Sequence, residues 1–302
     1  NTTVSAHVLM GEDDLKLVSD DLDDIDSAGE GRAGHLWLTL DQRLGDHLRT
    51  NTVISTSTVR HWRDSAGEDD ERTGDVDANF RFRFLDLRSD WTWSLGDRHL
   101  LLFGGNAGRT RADYDYSLVA ALFDPTAPGG VVDRSHAHDI EVSGSKTGTY
   151  AAWRGRVMRD LVLEAGARWD RYRYPGQEFT TVSPRVNAVL GVGAHGELRA
   201  AWGVAHQPQG IEELQVEDDL TLFFRPERAH QAVLGYTHHF SDGWSGRVDV
   251  YRKDYSDLRP RFENALDPVQ LIPEGAVDRV RIDATDAEAQ GVEITVRREA
   301  TS

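Results

Sequence analysis

The feature that most constrains this chain is a hydrophobic period of two, sustained over segments far longer than an ordinary strand. From Leu85 to Leu95 the odd positions are Leu85, Leu87, Ser89, Trp91, Trp93 and Leu95, and the even ones are Asp86, Arg88, Asp90, Thr92 and Ser94. A helix would mix these two sets on every face, whereas a strand between two unlike environments separates them. The pattern recurs in 161–169, 182–192, 198–204, 244–250 and 292–296. Eleven strands follow, near 33–43, 48–61, 78–95, 98–115, 147–158, 161–174, 182–192, 197–206, 229–240, 244–257 and 287–298, with a twelfth over 2–10. The expected fold is all-β, with strands antiparallel in sequence order.

The connections separate a barrel from a sandwich. Tight Gly- and Asp-rich turns stand at 44–47, 95–98, 158–161, 193–196 and 241–244. Longer polar connections alternate with them, near 62–76, 116–142, 208–228 and 259–286, with a shorter one near 175–181. Short turns at one end and long loops at the other are the pattern of an up-and-down transmembrane β-barrel. Two segments, Phe80–Leu95 and His99–Tyr116, are long enough to cross a bilayer and project beyond it. Within the first, apolar parity switches after Phe84, which predicts a β-bulge or the membrane boundary there. Trp91, Trp93, Phe240 and Trp244 lie close to tight turns, where an aromatic girdle belongs.

Composition narrows the function. A formal net charge of −17 argues against nucleic acid as a partner. Cysteine is absent, which excludes disulfides, thiolate metal sites and a cysteine nucleophile. The longest apolar run, Leu118–Phe123, is too short for a membrane helix, which leaves strands as the only means of crossing. The chain begins Asn-Thr-Thr, which reads as a truncated or processed end.

Four motifs then fall in order. Thr221–Phe240 reads TLFFRPERAHQAVLGYTHHF, with Pro-Glu entering a strand and Gly-Tyr preceding a strand that ends in an aromatic. Gly291-Val292-Glu293-Ile294 lies on a later strand, Ser183-Pro184-Arg185 opens an earlier one, and Trp153–Trp169 has the style of the preceding hairpin. Together these resemble the barrel of TonB-dependent outer-membrane receptors over about residues 78–302. The resemblance implies a 22-stranded barrel behind a plug domain. Residues 1–302 hold about 11–12 such strands and no recognisable plug, so one partial barrel domain is expected. An open half-barrel leaves two unpaired edges, which lipid does not tolerate. The resemblance further implies active import of a scarce nutrient, such as a ferric siderophore or cobalamin, across the Gram-negative outer membrane. The partners it implies are a small-molecule ligand, TonB–ExbB–ExbD acting through the plug, and the surrounding lipid and lipopolysaccharide. Rival readings are a passive porin closed by pairing 2–10 with 287–298, or an outer-membrane enzyme or adhesin.

Candidate ligand residues are the charges Arg81, Arg83, Arg109, Arg111 and Asp113, expected to face the lumen as a basic patch for an anionic ligand. To them are added His136 and His138, on one face of an extended segment, and Arg225 in the connection near 208–228. The acidic stretch 12–30, with Asp13, Asp14, Asp20, Asp21, Asp23, Asp24 and Asp26, reads as a solvated loop without the spacing of a calcium loop. No catalytic residue, metal site or cofactor is expected: 143–147 reads Ser-Gly-Ser-Lys-Thr, which is not a nucleophile elbow.

Overall fold

The computed structural model describes residues 1–19, 24–68, 72–123, 128–266, 272–276 and 278–298. Eleven strands succeed one another as β1 (Thr2–Ser19), β2 (Asp24–Leu44), β3 (Leu48–Glu68), β4 (Arg72–Leu95), β5 (His99–Phe123), β6 (Val131–Arg156), β7 (Leu161–Tyr174), β8 (Gln177–Val192), β9 (Gly196–Gln207), β10 (Glu227–His239) and β11 (Trp244–Ser256). A short hairpin, β12 (Arg261–Asn264) with β13 (Arg279–Ile282), precedes β14 (Asp286–Arg298). The main sheet has twelve strands in the order β1 to β11, then β14, each antiparallel to its neighbours. Among the described residues β1 pairs only with β2 and β14 only with β11, so the sheet is an open barrel wall. Among the described residues, 2–10 and 287–298 do not form the closing pair that a small complete barrel needs.

Its two faces follow from the registers. On one face Leu38, Ile54 and Leu87 lie in a row, as do Phe103, Ala151, Ala167 and Pro184. Farther round, Val186, Trp202, Ala232, Leu234, Val250 and Val292 continue the band. Leu87 is 47% exposed and Ile294 73%. In water such a continuous apolar band would be a severe aggregation liability; against lipid it is the required surface. The opposite face at the same level is polar and internally paired. Tyr150 bonds Asp90 at 2.6 Å, Lys146 meets Asp86 at 2.8 Å, Arg154 and Arg185 share Glu164, and Arg168 holds Asp170 and Asn106. Such a polar face is the one a barrel wall turns toward its lumen.

The tight turns fall where they were expected, and the left-handed φ of Gly45, Gly96, Gly193 and Gly243 shows why glycine stands in four of them. The opposite ends required correction. The connections near 62–76 and 116–142 are mostly strand, as the long arms of the β3–β4 and β5–β6 hairpins. The acidic stretch 12–30 is likewise the β1–β2 hairpin, with Glu12 2.8 Å from Arg32; Asp20, Asp21 and Asp23 lie outside the described residues. The 175–181 connection shrinks to the two-residue turn Pro175-Gly176. The arms at 62–68, 72–76 and 131–142 were read as loops because polar residues such as Asp64, Asp75, Asp133 and Asp139 crowd them, and polarity alone does not distinguish a wet strand from a wet loop.

Pairing also runs unbroken through Phe84 and Leu85, so no bulge lies at the parity switch. The switch marks a change of surroundings. Below it the outer face is the apolar one. Above it the inner face becomes the apolar one, because two long connections fold across it.

Candidate functional site

Those connections are 208–226, between β9 and β10, and 257–285, between β11 and β14. Above the membrane level the inner face of β4 and β5 carries Val76, Phe82, Ala112, Tyr114, Tyr116 and Leu118, all buried. Ile211, Leu214, Val216 and Phe223 of the first connection and Ile272 of the second pack on this face. Polar tips finish the seam. Tyr114 donates to the Ile211 carbonyl at 2.6 Å, and Tyr174 donates to the Gln209 carbonyl at 2.6 Å while stacking on Phe223 at 3.8 Å. Burial pushes all three nearby phenols, Tyr114, Tyr116 and Tyr174, upward, the last to about 12. They therefore remain protonated donors at physiological pH.

A layer of ion pairs surrounds the apolar seam. Glu274, buried, takes Arg63 from β3 and the Tyr116 hydroxyl at 3.3 Å. Arg134 donates to the Ala276 carbonyl at 2.9 Å. Arg279 grips Asp218 with two bonds, of 2.5 and 2.6 Å, and so ties the second connection to the first. Arg259 reaches Glu213 at 2.7 Å and Glu227 at 3.3 Å. Paired, hydrogen-bonded charges can be buried; unpaired ones cannot. Glu217 sits in this layer, where burial, reinforced by Asp218, raises its carboxyl above the usual range against the pull of Arg63 and Arg279. Burial in turn lowers the Arg63 guanidinium. The arrangement is a lid over the inner wall, held by an apolar seam and a surrounding layer of ion pairs.

The predicted site residues divide between the faces. Arg83 pairs in register with Arg111, Arg81 with Asp113, and Leu85 with Arg109, so the expected cluster does assemble. It lies, however, on the outer face, continuous with Leu87 and Trp91, and its lumen orientation is corrected. The residues share the parity of the lipid-facing set, and no twist or bulge intervenes to turn them inward. His136 and His138 lie on the inner face beneath the lid. His136 Nε2 is 3.1 Å from the Glu217 carbonyl and His138 Nε2 2.9 Å from Asp219. Arg225 is exposed on the 208–226 connection, near the exposed Leu222. Sequence reasoning missed Tyr114, Tyr116, Tyr174, Arg63, Glu274, Asp218 and Arg279. A signal existed for the first two: they alternate with Asp113 and Asp115, sharing parity with Ala112 and Leu118.

A wall with an apolar outer belt, a polar inner face and inward-folded loops defines a transmembrane β-barrel protein. Residues 13–299 match the family described as TonB dependent receptor-like, beta-barrel. The chain belongs to that family. Among solved structures it is similar to the pyoverdine outer membrane receptor FpvA from Pseudomonas aeruginosa PAO1, with 15% identity and a TM-score of 0.58, over 92% of this chain and 43% of that one. It is also similar to the copper transporter OprC (13%, TM-score 0.55, 100% and 59%) and the ferric citrate transporter FecA (11%, 0.53, 98% and 48%). At these identities the likeness is one of fold. The chain spans about half the length of these proteins. None of the curated proteins compared is significantly similar in sequence.

Proposed function

We propose that this protein forms part of the barrel of an outer-membrane receptor that actively imports a scarce small molecule, of the class of ferric siderophores or cobalamin. The observation that carries the reading is the lid: two long connections lie across the inner wall, locked by Arg279–Asp218 and Arg63–Glu274. A receptor that captures ligand at its mouth needs loops folded there to supply the capture surface. In this reading Arg225 and Leu222, exposed on the first connection, meet an incoming ligand, and His136 and His138 are uncovered when the lid lifts. In this reading residues 1–302 are one domain, and energy reaches it from TonB–ExbB–ExbD through a plug formed outside them. Family membership supports this coupling and supports a transporter over an enzyme. The test is uptake in a deletion strain under iron, cobalamin or sugar limitation, repeated in a strain lacking TonB. A deficit for one nutrient, equal in both strains, is expected. Uptake that persists without TonB but needs this protein would establish the porin reading instead.

A further inference from the structure

The upper arms of β3 to β6 (61–68, 72–82, 112–123 and 131–142) sort their charges by face. Every described carboxylate on them, Asp64, Asp75, Asp77, Asp115, Asp133 and Asp139 among them, stands on the outer face. The inner face beneath the lid carries Arg63, Tyr114, Tyr116, Arg134, His136 and His138 and, among the described residues, no carboxylate. It offers hydrogen-bond donors and positive charge within a chain of net charge −17. Three of these residues share a row, since Arg63 pairs with Ala78, Ala78 with Tyr116 and Tyr116 with His138. The small Ala78 side chain between them lets Arg63 and Tyr116 converge on one carboxylate.

The carboxylates that meet this row come from the lid. Glu274 accepts from Arg63 and from the Tyr116 hydroxyl at 3.3 Å, and Asp219 lies 2.9 Å from His138 Nε2. Arg134 and His136 meet lid carbonyls, those of Ala276 and Glu217. The fit at His138 is loose: its buried Nε2 makes no aligned hydrogen bond, and the Asp219 side chain is 74% exposed. Nor does docking of the lid require a carboxylate at 274. Ile272 and Gly275 on either side already pack on Leu118 and Ala120, and a buried ion pair holds such a seam no better than an apolar side chain of similar size. Arg63, by contrast, needs an anion, because burial disfavours its charge and removing a buried partner leaves that charge uncompensated.

We propose that the row Arg63, Tyr116 and His138 is a binding site for a small polycarboxylate, and that Glu274 and Asp219 of the lid occupy it as stand-ins for the ligand's own carboxylates. Lid and ligand then compete for the same donors. Ligand binding releases the lid, and a docked lid lowers the apparent affinity by the fraction of molecules in which it is open. Adjacent strands lie about 4.8 Å apart, so carboxylates at the Tyr116 and His138 positions fall within the span of a short tricarboxylate. Donors and cations line the wall while the acids sit on the removable part; that division is what an autoinhibitory contact requires. The inference rests on the import reading above, to which it adds a ligand chemistry and the event that opens the lid.

The test uses the protein extracted from outer membranes in mild detergent, with propane-1,2,3-tricarboxylate as probe. Binding is read by isothermal titration calorimetry and lid docking by hydrogen exchange. Saturating probe is expected to speed exchange in 208–226 of the wild type. Slower exchange there would make the lid a clamp on the ligand and overturn the competition. Glu274→Gln is expected to bind the probe at least about tenfold more tightly than wild type, since it removes the competitor and leaves the wall intact. Adding R63Q in that background is expected to lose about tenfold, the scale of one charge-assisted contact. Asp219→Asn, at an exposed position whose left-handed φ also suits Asn, is expected to tighten binding a few-fold. It decides the matter if Glu274→Gln lacks the heat-modifiable gel mobility of a folded barrel. Unchanged or weaker binding in the folded lid variants overturns the proposal, as does the lack of saturable binding by wild type and variants alike. Equal binding of inorganic phosphate overturns the polycarboxylate class. Each of these outcomes leaves TonB-dependent uptake standing, whereas uptake that persists without TonB removes the import reading and not a competition measured in detergent.

Discussion

The lower and upper halves of the same strands are built on opposite rules. In the lower half of β4, Leu87, Trp91 and Trp93 point outward and Asp86, Arg88 and Asp90 inward. In the upper half Phe80, Phe82 and Val76 point inward and Arg81, Arg83 and Asp77 outward. The backbone passes from one regime to the other without an irregularity. Alternation therefore reports that two faces differ, while the solvent on each side decides which face is apolar. A crossing takes about 10 residues of a tilted strand. β5 has 25, so more than half of it answers to water and to the lid.

This contrast can be broken from either side. The largest effect is expected at Phe82, buried beneath the lid: Phe82→Ala should cost about 3–5 kcal/mol of lid docking, read as faster hydrogen exchange in 208–226 with the belt strands unaffected. Equal loss in the belt would mean that the two halves are one cooperative unit. Next is Leu87→Arg, expected to cost about 2–4 kcal/mol in bilayer refolding because the position faces hydrocarbon. Thr58→Arg, on the same face but above the belt, should be close to neutral. Removing the bidentate clamp with Arg279→Ala should weaken the lid by roughly 1.5–3 kcal/mol, visible as new proteolysis within 208–226 or 257–285.

A pH experiment sharpens the same comparison. The folded Glu217 carboxyl titrates above its ordinary value, so the lid is favoured most below that ordinary value. It loosens as pH rises through the raised one. Glu217→Gln should abolish this dependence and tighten the lid at neutral pH. An unaltered pH profile of loop exchange in the variant would assign the effect to another group. The smallest effect is expected at Asp113→Ala: its pair with Arg83 is solvent-exposed, and stability should change by less than about 1 kcal/mol.

The belt was legible because lipid imposes its pattern residue by residue. Leu85–Leu95, Val182–Val192 and the glycine turns at Gly45, Gly96 and Gly193 each carry the signal within a short window. The hairpin arms 62–68 and 131–142 were not legible as strands, since water on their outer side rewards the same polar residues that loops use, and 116–123 was not because its run Leu118–Phe123 is apolar on both faces and carries no alternation. The faces of Arg81, Arg83, Arg109 and Arg111 were misassigned for a related reason. Charge in a barrel strand suggests the lumen only at membrane level, and these residues lie above it.

The lid was beyond any local reading. Tyr114 and Ile211 are 97 residues apart, Arg63 and Glu274 211 apart, and nothing within either segment specifies its partner. The sequence by itself determined an antiparallel barrel wall, its strand order and its tight turns, because strand period and turn chemistry are short-range and repeat. Only the tertiary structure decided which face each charge occupies above the membrane and that two connections close over the inner wall, because both depend on what the folded chain places opposite a side chain.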